Sequence, residues 1–253
     1  MQRTILITGA TSGIGEACAL SFAQLGDRLI LTGRRNERLQ SLAVKLQNTY
    51  KSEVLTLCFD VRDKQAVANA FDSIPLQWKT IDVLINNDGL AAGLNLVQEG
   101  DLQDWETMID TNIKGLLYVS RLVMPLMIEQ GKGHIINIGS IAGKEAYPKG
   151  NVYCATKFAV DALTKGMRID LLSHGIKVTQ IAPGAVETEF SIVRLKGDKE
   201  KAADVYKGFT PLTGMDIAAA AVWVAGLPAH VNINDLVIMP VAQAGPMHIQ
   251  KNI

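Results

Sequence analysis

The chain has 253 residues, and 25 Lys and Arg residues balance 25 Asp and Glu residues, so the formal net charge at pH 7 is zero with His neutral. This balance argues against a nucleic acid as the main partner, because neutralising phosphates takes a clustered excess of basic side chains. Hydrophobic residues make up 48% of the chain and charged residues 20%, which excludes a disordered chain, and charges interrupt every apolar stretch before the roughly 20 residues of a membrane span.

Short apolar runs along the chain are typical of strands buried on both faces of a sheet. They alternate with segments of helical periodicity as far as residue 182, which indicates repeated βα units around a parallel sheet. The predicted strands are Thr4–Thr8, Leu29–Thr32, Val54–Phe59, Val83–Asn86, His134–Ile138, Lys177–Ile181 and Leu236–Met239. The predicted helices are about Gly15–Leu25, Asn36–Thr49, Lys64–Ser73, Thr107–Glu129, Val152–Ser173 and Asp216–Ala225.

One polar stretch without a clear strand, about 187–213, breaks this alternation. Long irregular segments in compact domains are usually functional, so we predict an insertion over the strand ends that acts as a substrate lid. The sequence shows no linker, repeat or low-complexity tract. Residues 1–253 are therefore predicted to form a single α/β domain, with seven parallel strands and helices on both faces of the sheet.

A glycine-rich turn separates the first predicted strand from the first predicted helix. Glycines at this place allow a tight turn and a close approach of the backbone to a pyrophosphate, which the N–H groups and positive end of the following helix stabilise. The turn therefore predicts a phosphate-binding loop. The candidate cofactor-binding residues in it are Gly9, Thr11, Ser12, Gly13, Ile14 and Gly15.

The turn has the spacing TGxxxGxG, and the chain resembles the short-chain dehydrogenase/reductase family over nearly its whole length. Further landmarks of that family occur in the expected order: Asn86-Asn87-Asp88-Gly89, Asn112, Ser140 and Tyr153-Cys154-Ala155-Thr156-Lys157. The resemblance implies a Rossmann-like, doubly wound domain and an oxidoreductase. It also implies further cofactor-binding residues, namely Asp60, Val61, Asn87, Pro183, Gly184 and Thr188.

Arg34 and Arg35 follow the second predicted strand, about 20 residues beyond the glycine turn. An acidic residue there would bind the ribose 2′-hydroxyl of NAD, whereas arginine pairs with the 2′-phosphate of NADP. Since no carboxylate competes at this place, the sequence predicts NADP as cofactor. The alternative, a solvated positive helix start, is disfavoured by the helix dipole.

Tyr153 and Lys157 lie four positions apart on a predicted helix, so their side chains emerge from one face and can meet. A nearby ammonium and a positive nicotinamide ring would lower the phenol pKa from its usual value of about 10. We therefore predict Tyr153 as the acid and base that exchanges a proton with an alcohol or ketone. The resemblance implies that Lys157 also holds the nicotinamide ribose.

Ser140 ends a buried strand and should project from the carboxyl edge of the sheet, where its hydroxyl can hydrogen-bond the substrate oxygen. By resemblance, Asn112 supports a water-linked proton path through Lys157, although a packing or kink role is also open. Asp88 departs from the family, which usually has alanine there. Its carboxylate would weaken NADP binding if it points at the phosphates, and would be harmless if it faces a backbone N–H group or solvent.

Segments of the carboxyl-terminal part, above all Leu227–Asn234, look like those of NADP-dependent 3-hydroxy acid dehydrogenases acting on serine, L-allo-threonine and related acids. Such a substrate needs a carboxylate anchor, and a planar guanidinium suits one, so we predict that Arg194 binds it. The alternatives are a reductase of another ketone or of a 3-oxoacyl thioester, and a non-catalytic NADP-binding regulator. Intact Ser140, Tyr153 and Lys157 speak against the regulator.

The two long helices at 107–129 and 152–173 are apolar on more than one face, which predicts a second buried surface. In the similar family these helices pair subunits, so a homotetramer is expected. The four histidines and three widely spaced cysteines lack metal-ligand spacing, so no metal is predicted. The first strand begins almost at once, leaving no room for a signal peptide, so a cytoplasmic enzyme is expected.

Overall fold

Seven parallel strands form the centre of the computed structural model, which describes residues 2–252. They are β1 (Thr4–Ile7), β2 (Arg28–Gly33), β3 (Val54–Cys58), β4 (Val83–Asn86), β5 (His134–Ile138), β6 (Lys177–Pro183) and β7 (Asp235–Ile238). Their order is β3-β2-β1-β4-β5-β6-β7, and each neighbouring pair is parallel. The strand order reverses between β1 and β4, where open α/β sheets bind ligands at the carboxyl ends of the strands. The predicted fold class is confirmed.

Helices cover both faces of the sheet. They are α1 (Gly13–Gln24), α2 (Asn36–Tyr50), α3 (Lys64–Asp72), α4 (Leu102–Ile109), α5 (Leu116–Gln130), α6 (Asn151–Asp170), α7 (Phe190–Arg194), α8 (Lys199–Asp204) and α9 (Gly214–Ala225). Side chains alternate between the faces along a strand, so Ile5 and Ile7 pack toward α1, α2 and α9, whereas Leu6 packs toward α3, α5 and α6.

The predicted helix Thr107–Glu129 differs from the structure. Helix α4 already begins at Leu102, because the side chain of Asp101 accepts a hydrogen bond from the backbone N–H of Gln103 at 2.9 Å. A π-helical turn over Asp110–Gly115 then separates α4 from α5. Single π-helical turns inside α-helices are frequent at functional sites, because they redirect side chains without ending the helix.

A buried chain of polar side chains ties the central strands to the helices behind them. The amide nitrogen of Asn86 on β4 donates to Asn137 on β5 at 2.8 Å and to Ser120 on α5 at 2.9 Å. Asn137 donates in turn to Thr164 on α6 at 2.9 Å. Buried polar groups without partners are costly, so these bonds fix β5 and α6 in one relative position. Helix α6 carries Tyr153 and Lys157, and Ser140 follows β5 by two residues.

Residues 187–213, which we call the lid segment, contain the short helices α7 and α8. Two backbone hydrogen bonds tie its ends together, from Leu212 to the carbonyl oxygen of Ala185 at 2.9 Å and from Glu187 to that of Leu212 at 2.8 Å. No strand lies within this segment, as the sequence predicts. Its action as a lid stays a prediction. Within residues 2–252, none of the helices combines the length and apolar character that crossing a membrane requires.

Candidate active site

A groove of about 280 Å³ lies at the carboxyl ends of the strands, beside the reversal between β1 and β4. It brings together most of the residues that the sequence singled out. These are Gly9, Thr11, Ser12, Gly13, Ile14, Arg34, Arg35, Asp60, Val61, Asn87, Ser140, Tyr153, Lys157, Pro183, Gly184 and Thr188. The predicted residues Gly15, Asn112 and Arg194 lie outside its lining.

The glycine turn is shaped by two positions where a side chain would not fit. Gly9 has φ +63°, a conformation that favours glycine. A Cβ on Gly15 would collide with the carbonyl oxygen of Gly9, so Gly15 serves close packing of α1 and does not line the groove. Asn87 fixes the turn from β4, since its side-chain nitrogen donates to the carbonyl oxygen of Thr8 at 2.9 Å and to that of Gly9 at 3.2 Å.

The two predicted arginines point to different neighbours. Arg35 donates to the hydroxyl of Thr11 at 2.9 and 3.0 Å, to that of Ser12 at 2.7 Å and to the carboxylate of Glu189 at 2.7 Å. Arg34 lies 3.6 Å from the carboxylate of Asp60, which also pairs with Arg62 at 2.7 Å. Despite partial burial, the bonds and charge of Arg62, with that of Arg34, lower the pKa of Asp60.

Arg38 joins this basic cluster, although the sequence analysis did not single it out. Its guanidinium contacts the other carboxylate oxygen of Glu189 at 2.7 Å. Arg35 and Arg38 are three positions apart at the start of α2, so they share a face. That spacing was the available signal for Arg38. Glu189 lies on the lid segment, and no local pattern connects it to α2.

Asp88 lies both against the backbone of the glycine turn and at the groove where a cofactor phosphate is expected. Its carboxylate lies against the backbone of Gly9 and also lines the groove. The Oδ2 atom is buried and has no hydrogen-bond partner among residues 2–252. Burial and, less strongly, the nearby carboxylate of Asp60 raise the pKa of Asp88 to about 6 against the opposing charge of Arg34. Asp88 is therefore a buried carboxylate, with one unpartnered oxygen, at the edge of the groove.

Tyr153 and Lys157 are both buried on α6 and both line the groove. Burial raises the pKa of the Tyr153 phenol above its usual range, the neighbouring Tyr147 raises it further, and Ser140 and Arg194 act in the opposite direction. Burial also lowers the pKa of Lys157 to about 8. In the chain alone, desolvation of the phenolate outweighs the charge of Arg194. The expected lowering of the phenol pKa also depends on the nicotinamide ring and stays a prediction.

The Lys157 ammonium donates to the carbonyl oxygen of Ile138, the last residue of β5, at 3.0 Å. Ser140 follows two residues later, and its hydroxyl accepts a hydrogen bond from the backbone N–H of Ala142 at 3.1 Å. A Cβ on Gly89 would lie 3.4 Å from the Lys157 nitrogen and 3.5 Å from the Asn112 amide oxygen. Ser140, which follows β5, and Tyr153 and Lys157 on α6 thus line the groove, whereas Asn112 in the π-helical turn lies outside the lining.

Asn112 is positioned by the π-helical turn and by the backbone of Leu90. Its amide oxygen accepts from the Leu90 N–H at 2.8 Å, and its nitrogen donates to the Leu90 carbonyl at 2.8 Å and to the Thr156 hydroxyl at 3.0 Å. The packing role that the sequence left open is therefore present. The predicted proton path through Asn112 stays a prediction.

Arg194, at the end of α7, lies over two aromatic rings. Its guanidinium carbon is 5.4 Å from the ring centre of Tyr147 and 5.7 Å from that of Tyr153. The Nε and Nη2 atoms are buried and have no hydrogen-bond acceptor within residues 2–252. Phe190, at the start of α7, packs against the Tyr153 ring with centroids 5.5 Å apart. Tyr147 and Phe190 were not predicted as site residues, because aromatic residues at such positions carry no specific pattern.

The model of the family described as short chain dehydrogenase matches residues 3–198. The chain belongs to the short-chain dehydrogenase family. Within the described residues of this short-chain dehydrogenase, no group of three or more His, Cys, Asp and Glu side chains is placed to hold a metal ion.

Relatives of this short-chain dehydrogenase match it along nearly their whole length. The NADP-dependent 3-hydroxy acid dehydrogenase YdfG of Salmonella typhimurium is 52% identical over 241 residues, covering 95% of this chain and 96% of the relative. Sulfoacetaldehyde reductase 2 of Chromohalobacter salexigens is 47% identical over 245 residues, covering 96% of each. The closed form of a serine dehydrogenase complexed with NADP+ superposes with a TM-score of 0.91 at 46% identity, covering 98% of this chain and 100% of that one.

The buried carboxylate generates a prediction about stability. The folded-state pKa of Asp88 is raised to about 6, so its contribution favours folding at low pH and is lost as the pH rises through 6. We expect Asp88→Asn to stabilise the cofactor-free chain at pH 8 by on the order of 2 kcal/mol and to have little effect below about pH 4.

Urea unfolding of the parent and the variant between pH 4 and pH 8 measures this difference. Asp72→Asn, at the exposed end of α3, is the matched control and should have nearly the same unfolding free energy as the parent at every pH in this range. A stability difference for Asp88→Asn that stays flat with pH would show that its ionisation carries no penalty in the folded chain.

Proposed function

We propose that this chain is an NADP-dependent oxidoreductase that moves a hydride between the cofactor and the hydroxyl-bearing carbon of a small 3-hydroxy acid, such as serine, L-allo-threonine or 3-hydroxypropionate. The observation that carries the proposal is the position of Arg194. A guanidinium with buried, unpartnered N–H groups lies over the ring of the candidate acid and base, Tyr153. A small substrate held by its carboxylate at Arg194 would have its hydroxyl group near that phenol.

The groove fits an NADP molecule at both of its ends. Glycine at position 9 lets the turn pass close to β4, since a Cβ there would collide with the side chains of Asn87 and Asp88 at 2.9 Å. Backbone N–H groups at the start of α1 are suited to a pyrophosphate. Arg34 and Arg35, which line the groove, would hold the 2′-phosphate together with Arg38, and Lys157 would hold the nicotinamide ribose.

When bound, NADP supplies the acceptor or donor of a hydride, with its two electrons. The residues of this chain handle the proton. In the oxidative direction, the substrate hydroxyl gives its proton to the phenolate oxygen of Tyr153 while the C–H bond breaks and the C=O bond forms. In the reductive direction the phenol returns a proton to the carbonyl oxygen. Burial disfavours the phenolate, so we infer that the positive charges of Lys157, Arg194 and the oxidised cofactor together make it accessible.

Ser140 and Asn112 support this step. The Ser140 hydroxyl is a donor for the substrate oxygen as charge develops on it. Asn112 holds the Leu90 segment beside Lys157, and we propose that it also lies on the path by which the Lys157 ammonium exchanges its proton with solvent. Thr188 covers the glycine turn, since a Cβ on Gly13 would lie 3.1 Å from its Cβ and Cγ2 atoms.

The proposed anchor does not distinguish strictly between a carboxylate and another anionic group on the substrate. A guanidinium binds a sulfonate with the same two donors that hold a carboxylate, and the relative from Chromohalobacter salexigens is named as a sulfoacetaldehyde reductase. The second candidate function is therefore the reduction of a small aldehyde or ketone that carries a sulfonate. Initial rates with 3-hydroxypropionate, L-serine, L-allo-threonine and sulfoacetaldehyde distinguish the two.

We further propose that the chain assembles as a homotetramer through α5 and α6. The support is apolar exposure on these helices, including Leu117 (36%), Phe158 (43%) and Ile169 (73%). Light scattering after size exclusion should give about four times the chain mass of 27.4 kDa. Phe158→Glu should reduce that mass, because a charge at a buried apolar contact disfavours association. A monomeric parent protein would contradict this proposal.

The acid and base assignment is tested by Tyr153→Phe, which removes the reacting hydroxyl and keeps the ring. We expect kcat to fall by about 10²- to 10⁴-fold with little change in the dissociation constant of NADPH, measured by its fluorescence. Tyr50→Phe, on α2, is the matched control and should keep the parent kcat. Retention of more than a tenth of kcat in Tyr153→Phe would remove Tyr153 from this role.

The substrate anchor is tested by Arg194→Gln. Hydrogen bonds to charged groups are worth about 1.5 to 3 kcal/mol, so the KM for 3-hydroxypropionate should rise roughly 10- to 100-fold. The KM for NADP should stay within about twofold, because Arg194 lies outside the groove lining. Lys196→Gln is the matched control, since Lys196 lies on the same lid segment and pairs with Asp104 at 2.9 Å. An unchanged KM in Arg194→Gln would exclude it as the anchor.

A further inference from the structure

Glu189 occupies the basic cluster at the start of α2. Its two carboxylate oxygens contact different guanidinium groups, one on Arg35 and one on Arg38, each at 2.7 Å. The two arginines are three positions apart, whereas Glu189 is 154 positions beyond Arg35. A carboxylate that bridges two arginines is an anion in an anion-binding site.

The remaining contacts of Arg35 show which of its nitrogens bond neutral groups and which one contacts Glu189. Its Nε and Nη2 atoms bond the hydroxyls of Thr11 and Ser12, which fix the guanidinium plane against the glycine turn. The Nη1 atom is then directed to Glu189. Thr11 and Ser12 are neutral acceptors, so Glu189 is the charged partner of this arginine. Arg35, Glu189 and the glycine turn all border the groove.

We propose that Glu189 is an internal occupant of the 2′-phosphate site, and that the phosphate exchanges with it on Arg35 and Arg38 when NADP binds. This inference rests on the proposed function. A phosphate monoester carries up to two negative charges and three acceptor oxygens, whereas Glu189 offers one charge and two oxygens. A nucleotide without that phosphate leaves the pairs with Glu189 in place. Glu189 and Arg38 are then specificity-determining residues for the cofactor.

The exposure of the ion pairs to solvent determines how strongly Glu189 competes with the 2′-phosphate for the two arginines. The side chains are 41% exposed for Arg35 and Glu189 and 50% for Arg38. Exposed ion pairs are weak because water and salt screen them. Glu189 therefore lowers the affinity for a 2′-phosphate by a small factor and does not prevent its binding.

The test uses 2′,5′-ADP, which has the 2′-phosphate, and 5′-ADP, which lacks it, in titration calorimetry at low ionic strength. We expect Glu189→Gln to bind 2′,5′-ADP about 2- to 5-fold more tightly than the parent, the factor expected for an exposed ion pair, and 5′-ADP with unchanged affinity. Arg38→Gln should bind 2′,5′-ADP more weakly and 5′-ADP equally well. In the Arg38→Gln background, the additional change Glu189→Gln should have a smaller effect.

Glu187→Gln is the matched control, because it removes the same charge two positions away. Glu187 is exposed and forms no ion pair within residues 2–252. It should leave both affinities unchanged. The proposal is overturned if Glu189→Gln fails to tighten 2′,5′-ADP binding, if it tightens both nucleotides equally, or if Arg38→Gln has no effect. A parent protein that does not prefer 2′,5′-ADP over 5′-ADP would instead contradict the proposed use of NADP.

Discussion

Burial of Tyr153 and Lys157 behind the carboxyl end of β5 is the constraint on which the site depends. In a dry environment each side chain favours its neutral form, so the phenol pKa is raised and the ammonium pKa is lowered. The phenolate of Tyr153 and the ammonium of Lys157 therefore need stabilisation by fixed charges and dipoles. The hydrogen bond from Lys157 to the Ile138 carbonyl and the guanidinium of Arg194 over the Tyr153 ring supply part of that stabilisation.

The sheet explains why these groups meet. All seven strands are parallel, so their carboxyl ends lie at one edge, and the reversal of strand order opens the groove there. The polar chain from Asn86 through Asn137 to Thr164 then holds β4, β5 and α6 in fixed positions. The proposed catalytic side chains therefore lie on or next to elements in fixed positions. Helix α7, in the lid segment, approaches these side chains from outside the sheet and its packed helices.

Local sequence patterns predicted the parts of the fold and site that depend on local geometry. The strands, the glycine turn and the spacing of Tyr153 and Lys157 follow from apolar runs and helical periodicity. Three features did not. The π-helical turn at Asn112 breaks the helical period, the pairing of Glu189 with Arg38 joins positions 151 residues apart, and the pKa of Asp88 depends on burial that only the folded chain produces.

Helix α7 connects the two residues that we propose to act at the anion sites, Glu189 and Arg194. Glu189 precedes it and contacts the basic cluster, and Arg194 ends it above Tyr153. Five positions separate the two side chains, which is about 7.5 Å along an α-helix, and one inserted residue would rotate Arg194 by about 100°. With the roles proposed for Glu189 and Arg194, a change in the length of this helix would alter coenzyme choice and substrate range together. A loop grafted here to alter one of them must therefore preserve the spacing between these two residues.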